Sequence, residues 1–296
     1  MSTAFVFPGQ GSQYPGMGKD LYDKFDIVRE IYKRADSLSG LKISELSFEA
    51  DKQTLSQTQY TQPCIFVHSY AVLNVVDESY DSVAGHSLGE YSALVAAGVL
   101  TFEDGLHAVV ERGRLMSQAK KGGMLAPLGV ALEDVKEVVD LLKSEGIIEV
   151  ANYNAPGQFI ISGEIEILEK AEKMLSERGA KKVVRLAVSG AFHSPLMEEA
   201  QKEMEKVLSK IDFSPPKVRF YANVTGDRVE NPEEISKNLV LQLTHPVRWI
   251  DIVESMVRDG DDRFVEIGPG KVLRGLIKRI AKDVETVGYE EILRKE

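Results

Sequence analysis

The chain is poor in residues that would tie it to several broad classes of chemistry. Among 296 residues there is one cysteine, Cys64. An internal disulfide is therefore impossible, and a cysteine-built metal cluster is excluded with it. Cys64 sits in the apolar helical stretch QPCIFVHSYAVL and reads as a small buried hydrophobe. Positive charge is in deficit: 36 Lys and Arg face 46 Asp and Glu, a net charge of −10, which disfavours nucleic acid as a bulk partner. No apolar run is long enough to span a bilayer, so no membrane partner is expected. There is no repeat of fixed period and no low-complexity stretch. The opening MSTAFVFPGQ lacks a basic leader and a long apolar core, and reads as a first strand in a cytoplasmic protein. What remains is 43% hydrophobic residues, enough for one large domain or a large domain plus a small one, with a monomer expected.

Hydrophobic periodicity gives an α/β pattern. Strands are expected at 3–7, 81–85, 217–224 and 263–268, and helices near 18–38, 62–78, 88–98, 101–119, 194–211, 232–243, 249–259 and 271–282. Pro63 suits the first turn of its helix, and Thr101 suits an N-cap followed by the acidic Glu103 and Asp104. Between 123 and 188 the rhythm changes to strand–helix–strand–strand–helix–strand, the ferredoxin-like order. The expected fold class is therefore a parallel-sheet α/β core, 1–122 and 189–296, with an inserted ferredoxin-like subdomain, 123–188.

GHSLG at 85–89 places Ser87 between a strand and a helix, the context of a nucleophile elbow. A sharp turn there pushes the hydroxyl clear of the backbone. Small residues on both sides let strand and helix approach, and the new helix aims free N–H groups at the site. The Leu88 N–H is then a ready oxyanion donor. The alternative is an ordinary strand-to-helix turn carrying a serine.

A serine hydroxyl needs a base. His68 lies in an apolar helical segment and reads as a core residue, while His107 lies on a polar helix face. His86 precedes the serine, so its side chain should point elsewhere, and can line the pocket. His193, in AVSGAFHSPLM, follows a strand and opens a helix, where α/β sites gather their residues, and is the candidate base. His245, in a loop, stays open. No acid suggests itself as a third member. Arg112 borders the apolar stripe of Leu106, Val109, Gly113 and Met116 on its helix. Such an arginine either pairs structurally with a buried carboxylate or carbonyl, or receives a substrate carboxylate through its planar fork.

FVFPGQGSQYPGMG, GHSLGEYSAL, ERGRLM, GAFHSPLM, PVRW and EIGPGKVL, in that order, resemble the malonyl-CoA:acyl carrier protein transacylases and the acyltransferase domains of megasynthases. The resemblance covers nearly the whole chain, and the chain looks like the free-standing enzyme. It implies an α/β-hydrolase-like core with a ferredoxin-like subdomain. It implies Ser87 as nucleophile, His193 as base, Arg112 as receptor of the malonyl carboxylate, and Leu88 and Gln10 N–H groups as oxyanion hole. By the same resemblance a backbone carbonyl, matched here to Gln242, steadies the histidine in place of an acid. Phe192 before the histidine resembles the malonyl-selective form of its motif. His245 and Arg248, in THPVRW, depart from the common pattern at the pocket rim. Malonyl-CoA and acyl carrier protein are the implied partners, with no metal or bound cofactor. A serine thioesterase or esterase is the rival reading, since it shares G-x-S-x-G but sets an acid between serine and histidine. A non-catalytic carrier-binding module would have no use for Ser87, His193 and Arg112 together. The glycines of GQGSQYPG and GPGK lack the spacing of dinucleotide or phosphate loops. Carrier proteins of this family are acidic, so docking calls for a local basic patch. Lys271, Arg274, Lys278 and Lys282 fall on one helix face with Arg279 beside them, and Lys278 and Arg279 are the docking candidates.

Overall fold

A computed structural model describes residues 2–119 and 121–294. The larger sheet has five strands, all parallel: β1 (Ser2–Phe7), β2 (Ser82–Gly85), β7 (Arg219–Tyr221), β8 (Asp261–Glu266) and β9 (Glu285–Gly288), in the order β7-β2-β1-β8-β9. The smaller sheet has four, all antiparallel: β3 (Gly123–Leu128), β4 (Ile148–Ala155), β5 (Gln158–Gly163) and β6 (Lys182–Arg185), in the order β4-β5-β3-β6. With helices Leu132–Leu142 and Ile165–Glu177 between its strands, this is the ferredoxin-like arrangement expected for this stretch.

Side chains that alternate along β1 divide the core in two. Phe5 and Phe7 pack on one face, in the cluster that also holds Phe66, Leu94 and Val109 from helices Thr58–Leu73, Gly89–Ala96 and Phe102–Gln118. Ala4 and Val6 pack on the other, with Trp249, Ile252 and Ile277 of helices Trp249–Arg258 and Val272–Ile280. A parallel sheet needs this double cover, because its strands are apolar on both sides. The smaller sheet alternates too: Leu125 joins the core under its own helices, while Met124 and Ala126 face the larger unit.

Several boundaries differ from the sequence reading. The segment 18–38 is two helices, Lys19–Lys24 and Asp26–Ser39, because Phe25 adopts an extended backbone. The proline helix begins at Thr58, so Pro63 lies inside it and not in its first turn. Gln57 O accepts from both Tyr60 N and Thr61 N, which secures the turn ahead of the proline. Helices Ile43–Phe48, Lys52–Leu55 and Tyr289–Leu293, and strand β9, have no counterpart in the periodicity; all are too short to show one.

The tightest crossing lies where β2 meets the helix that follows it. A Cβ at Gly85 would strike the Gly89 carbonyl carbon and oxygen, and one at Gly89 would strike the Phe7 carbonyl. Backbone on the far side cannot rotate away. Gly89→Ala should therefore destabilise the fold by about 1–3 kcal/mol or more. Urea titration checks this, and an unchanged midpoint would refute it.

Candidate active site

Four loops meet at the carboxyl ends of the parallel strands. They follow β1, β2, β7 and β8, and the order in which strands are added reverses at β1, with β2 and β7 on one side and β8 and β9 on the other. Open α/β sheets hold their ligands at such a place. Ser87 lies on the turn after β2 with φ of 51°, the left-handed region that side chains avoid. That costs about 1–3 kcal/mol and persists only where surroundings enforce it. Here Ser87 N donates to Asn223 Oδ1 at 2.7 Å, and Gln242 Nε2 donates to Ser87 O at 2.9 Å. Asn223 Nδ2 in turn donates to Gly85 O at 2.6 Å, clamping the end of β2. The loop after β1 lies directly on this turn, since a Cβ at Gly9 would strike His86 O. That close approach brings Gln10 to the cavity wall.

His193 also has positive φ, 57°, and is buried. Its Nε2 lies 2.9 Å from Ser87 Oγ and its Nδ1 lies 2.7 Å from Gln242 O. A carbonyl oxygen can only accept, so Nδ1 carries the proton and Nε2 presents a lone pair to the serine hydroxyl. Burial first, and the Arg112 charge second, push the imidazole down to about 3, so the ring is neutral.

Arg112 is 1% exposed. Nη1 donates to Gln62 Oε1 at 2.7 Å; Nη2 donates to Gln242 Oε1 at 2.9 Å and to Ser87 Oγ at 3.0 Å. The guanidinium carbon stands 5.7 Å from the centre of the Tyr91 ring. Among the described residues no carboxylate forms an ion pair with it, and Nε has no hydrogen-bond partner. The buried carboxylate in this region is Glu90, which reaches Arg112 only through Gln242. Burial lifts Glu90 to about 7 against the opposing pull of the Gln242 and Asn223 N–H groups and the Arg112 charge. A direct structural pair with a buried carboxylate, one of the roles the sequence leaves open for Arg112, is thus not what the fold contains.

Ser87, His193, Arg112 and Gln10 line one cavity of about 180 Å3. Met124 and Ile160 of the smaller sheet and Phe192 supply part of its apolar wall. His86 lines it too, and its Nε2 lies 2.7 Å from Asn154 Oδ1 on β4, so elbow and smaller sheet are joined by a direct hydrogen bond. The Leu88 N–H and Gln10 N–H donate to no other described residue. His68 is fully buried away from the cavity, and His107 is exposed. His245 is exposed and its Nδ1 lies 3.0 Å from Leu241 O, outside the cavity lining. On the basic helix Lys278 and Arg279 are both exposed; Arg279 donates to Pro156 O and Gln158 Oε1 of the β4–β5 turn, and Arg274 is taken up by Glu266 and Glu291. Sequence reasoning does not single out Asn223, Glu90 or Gln62, which hold the turn and the guanidinium from distant parts of the chain.

The arrangement offers a hydroxyl in contact with a neutral imidazole and a cation within hydrogen-bond reach of the same hydroxyl. Comparison with known proteins agrees in kind. The Acyl transferase domain family matches residues 4–295. The malonyl CoA-acyl carrier protein transacylase of Bacillus subtilis (strain 168) is 41% identical over 295 residues, 97% of this chain and 93% of the relative. Among solved structures, the acyl-carrier-protein-S-malonyltransferase of Bartonella henselae superposes with a TM-score of 0.96 at 39% identity, covering 100% of this chain and 98% of that one. A type II PKS malonyl-transacylase, solved in complex with its acyl-carrier protein, gives 0.94 at 34% identity and covers 100% of both chains. With a match that runs almost end to end and a shared fold, this chain belongs to the acyl transferase domain family.

Proposed function

We propose that this protein transfers a malonyl group from coenzyme A to the phosphopantetheine thiol of acyl carrier protein, through a malonyl ester on Ser87. The observation that carries this reading is Arg112: a buried cation without a carboxylate of its own, hydrogen-bonded to the nucleophile. A guanidinium in that position suits an acyl group that ends in a carboxylate. A thioesterase or esterase has no need of it. The relatives named above are malonyl transacylases, and one of them was solved with its carrier.

In the proposed cycle Ser87 Oγ attacks the thioester carbonyl and its proton passes to His193 Nε2. Arg112 Nη2 already donates to Oγ, so the serine proton is left to point at the imidazole. The oxyanion takes the N–H groups of Leu88 and Gln10. The C–S bond breaks, and the CoA sulfur leaves with the proton from His193. The carrier thiol then attacks the ester, giving its proton to His193, and Ser87 leaves with that proton restored. The Gln242 carbonyl keeps the imidazole in the required tautomer throughout. Neither metal nor resident cofactor enters. We assign the activity to a cytoplasmic monomer, with 1–122 and 189–296 as catalytic core and 123–188 as subdomain; the two separate sheets support that division. Among the described residues no helix is long and apolar enough to cross a membrane.

Intact-mass analysis over a panel of acyl-CoA thioesters tests the function. Wild type should gain a malonyl adduct that Ser87→Ala lacks. Arg112→Ala should lose about 2–4 kcal/mol in malonyl transfer and much less with acetyl-CoA. A normal adduct on Ser87→Ala, or an equal fall on both substrates, would defeat the assignment.

The imidazole sets a pH expectation. A histidine whose folded value is depressed adds stability above its unfolded value, and that stability is lost as pH falls toward about 3. At subsaturating thioester, where the free enzyme's imidazole is read, acylation should likewise hold its rate well below the ordinary histidine value, with its acid limb near 3. A limb centred at about 6.5 would contradict a buried neutral base.

Lys278 and Arg279 are proposed to dock the acidic carrier. Arg279 ties the helix to Pro156 O and Gln158 Oε1, whereas Lys278 Nζ makes a single long bond, to Val284 O at 3.3 Å, so Lys278→Glu is the cleaner probe. It should slow transfer to the carrier and flatten its salt dependence while sparing acylation by malonyl-CoA. Stopped-flow measurement of the two half-reactions separates these, and unchanged carrier transfer at low salt would place docking elsewhere.

A further inference from the structure

Gln242 makes contacts of two kinds. Its main-chain carbonyl accepts from His193 Nδ1 at 2.7 Å. Its side chain does something separate. Oε1 accepts from Arg112 Nη2 at 2.9 Å, while Nε2 donates to Ser87 O at 2.9 Å and to Glu90 Oε2. An amide can be turned over, exchanging its oxygen and nitrogen with little change of shape. Turned over here, it would set oxygen against the Glu90 carboxylate and the Ser87 carbonyl, and an NH2 against the guanidinium.

Three groups oppose the turned state: the Ser87 main-chain carbonyl, the Arg112 guanidinium and the Glu90 carboxylate, and of these Glu90 is the one that takes no part in the reaction. It sits three residues beyond the nucleophile, in the first turn of helix Gly89–Ala96, and is 2% exposed. Its second oxygen, Oε1, is already held by the main-chain N–H of Asn223 at 3.2 Å. That donor is fixed by the backbone, and Asn223 is itself locked to Ser87 N and Gly85 O. The carboxyl group therefore cannot swing away, and in its ionised form, which prevails above about 7, both oxygens are acceptors and serve both neighbours. Arg112, with no carboxylate in contact, is held at Nη2 by Gln242 Oε1 and the Ser87 hydroxyl and at Nη1 by Gln62 Oε1, and the Gln242 oxygen is the one of these that Glu90 helps to orient.

We propose that Glu90 is a positioning residue for substrate selection: through the side chain of Gln242 it aims the Arg112 guanidinium at the acyl site. Glu90 touches neither the acyl group nor the reacting atoms. The relay is confined to the Gln242 side chain, since the carbonyl that holds His193 is main chain and survives any change of side chain. Because Gln242 Nε2 also holds Ser87 O and Arg112 also reaches Ser87 Oγ, loss of the relay slows both thioesters through the nucleophile and adds a further loss on the one whose carboxylate uses Arg112. This rests on the malonyl-transfer reading above.

The experiment is single-turnover acylation of Ser87 by malonyl-CoA and by acetyl-CoA, in wild type, Glu90→Gln and Gln242→Met. A glutamine at 90 has one acceptor for two donors. Because the Asn223 N–H is fixed, the Gln242 amide must yield. The ratio of malonyl to acetyl acylation should fall about ten-fold or more in Glu90→Gln, the scale of one charge-assisted hydrogen bond, and the loss should appear in half-saturation more than in the limiting rate. Gln242→Met keeps the main-chain carbonyl but loses the hydrogen bond to Ser87 O, so both acylation rates should fall, and the malonyl-to-acetyl ratio should fall as in Glu90→Gln. Glu90→Asp, which keeps two acceptor oxygens on a shorter arm, should recover part of the ratio. Should Glu90→Gln not fold, Gln242→Met decides alone. A ratio unchanged from wild type in Gln242→Met, or an equal fall on both thioesters in Glu90→Gln, overturns the proposal. Wild type serves as control for the underlying reading: absence of a malonyl adduct there would refute malonyl transfer itself, a result distinct from either outcome in the variants.

Discussion

A guanidinium buried among neutral partners is the constraint around which this site is arranged. Arg112 is held by two glutamine side-chain oxygens and the serine hydroxyl, and no carboxylate meets it directly. Placing a charge in such surroundings is expensive unless its hydrogen-bonding groups are met. Burial does pull Arg112 down, yet guanidinium chemistry keeps it charged. The fold responds by delivering oxygens from elements far apart in the chain. Gln62 comes from the helical turn ahead of Pro63, and Gln242 from the end of helix Pro232–Leu241. The turn before the proline, which the sequence did not suggest, thus carries one of the groups that make the buried charge tolerable.

The elbow is tied to the same network. Ser87 can hold positive φ because its N–H and carbonyl are both taken, one by Asn223 and the other by Gln242. Those residues follow β7 and helix Pro232–Leu241, so strain at the nucleophile is offset by parts of the chain that also place the histidine and the arginine. The larger sheet brings the ends of β1, β2 and β7 together and the smaller sheet closes the cavity over them through Asn154. Stability of the elbow and geometry of the site are consequently one problem.

How much of this was legible in the sequence follows from how local each signal is. The strands of the larger core announce themselves as short apolar runs, and the smaller unit as alternating strands with two amphipathic helices. Strand β9, with the sequence ETVG, has neither run nor alternation, and only pairing with β8 makes it a strand. Ser87 is conspicuous because two glycines and a strand-to-helix change mark it within five residues. Arg112 is conspicuous because it breaks an apolar stripe. Glu90 carries no such mark: an acid in the first turn of a helix is ordinary, favoured by the dipole. Asn223 and Gln62 likewise look like any polar residues near the end of a strand or in a helix. Their parts depend on partners 136 and 50 positions away, and no spacing rule reaches that far.

The charge that organises the site also bears on the base. Burial and the neighbouring guanidinium both press His193 toward its neutral form. A neutral imidazole can accept the serine proton, but one held near 3 is a weak acceptor, since a base works best with a value near the working pH. An acyl group that ends in a carboxylate, set against Arg112, offsets the positive charge and relieves that part of the pressure. A neutral acyl group leaves it in place. In the proposed cycle the same ion pair therefore acts twice: it holds the acyl group, and it shifts the neighbouring imidazole in the direction that favours proton transfer. Selection through Arg112 then bears on the chemical step as well as on binding, because the electrostatics of the base depend on what the arginine faces.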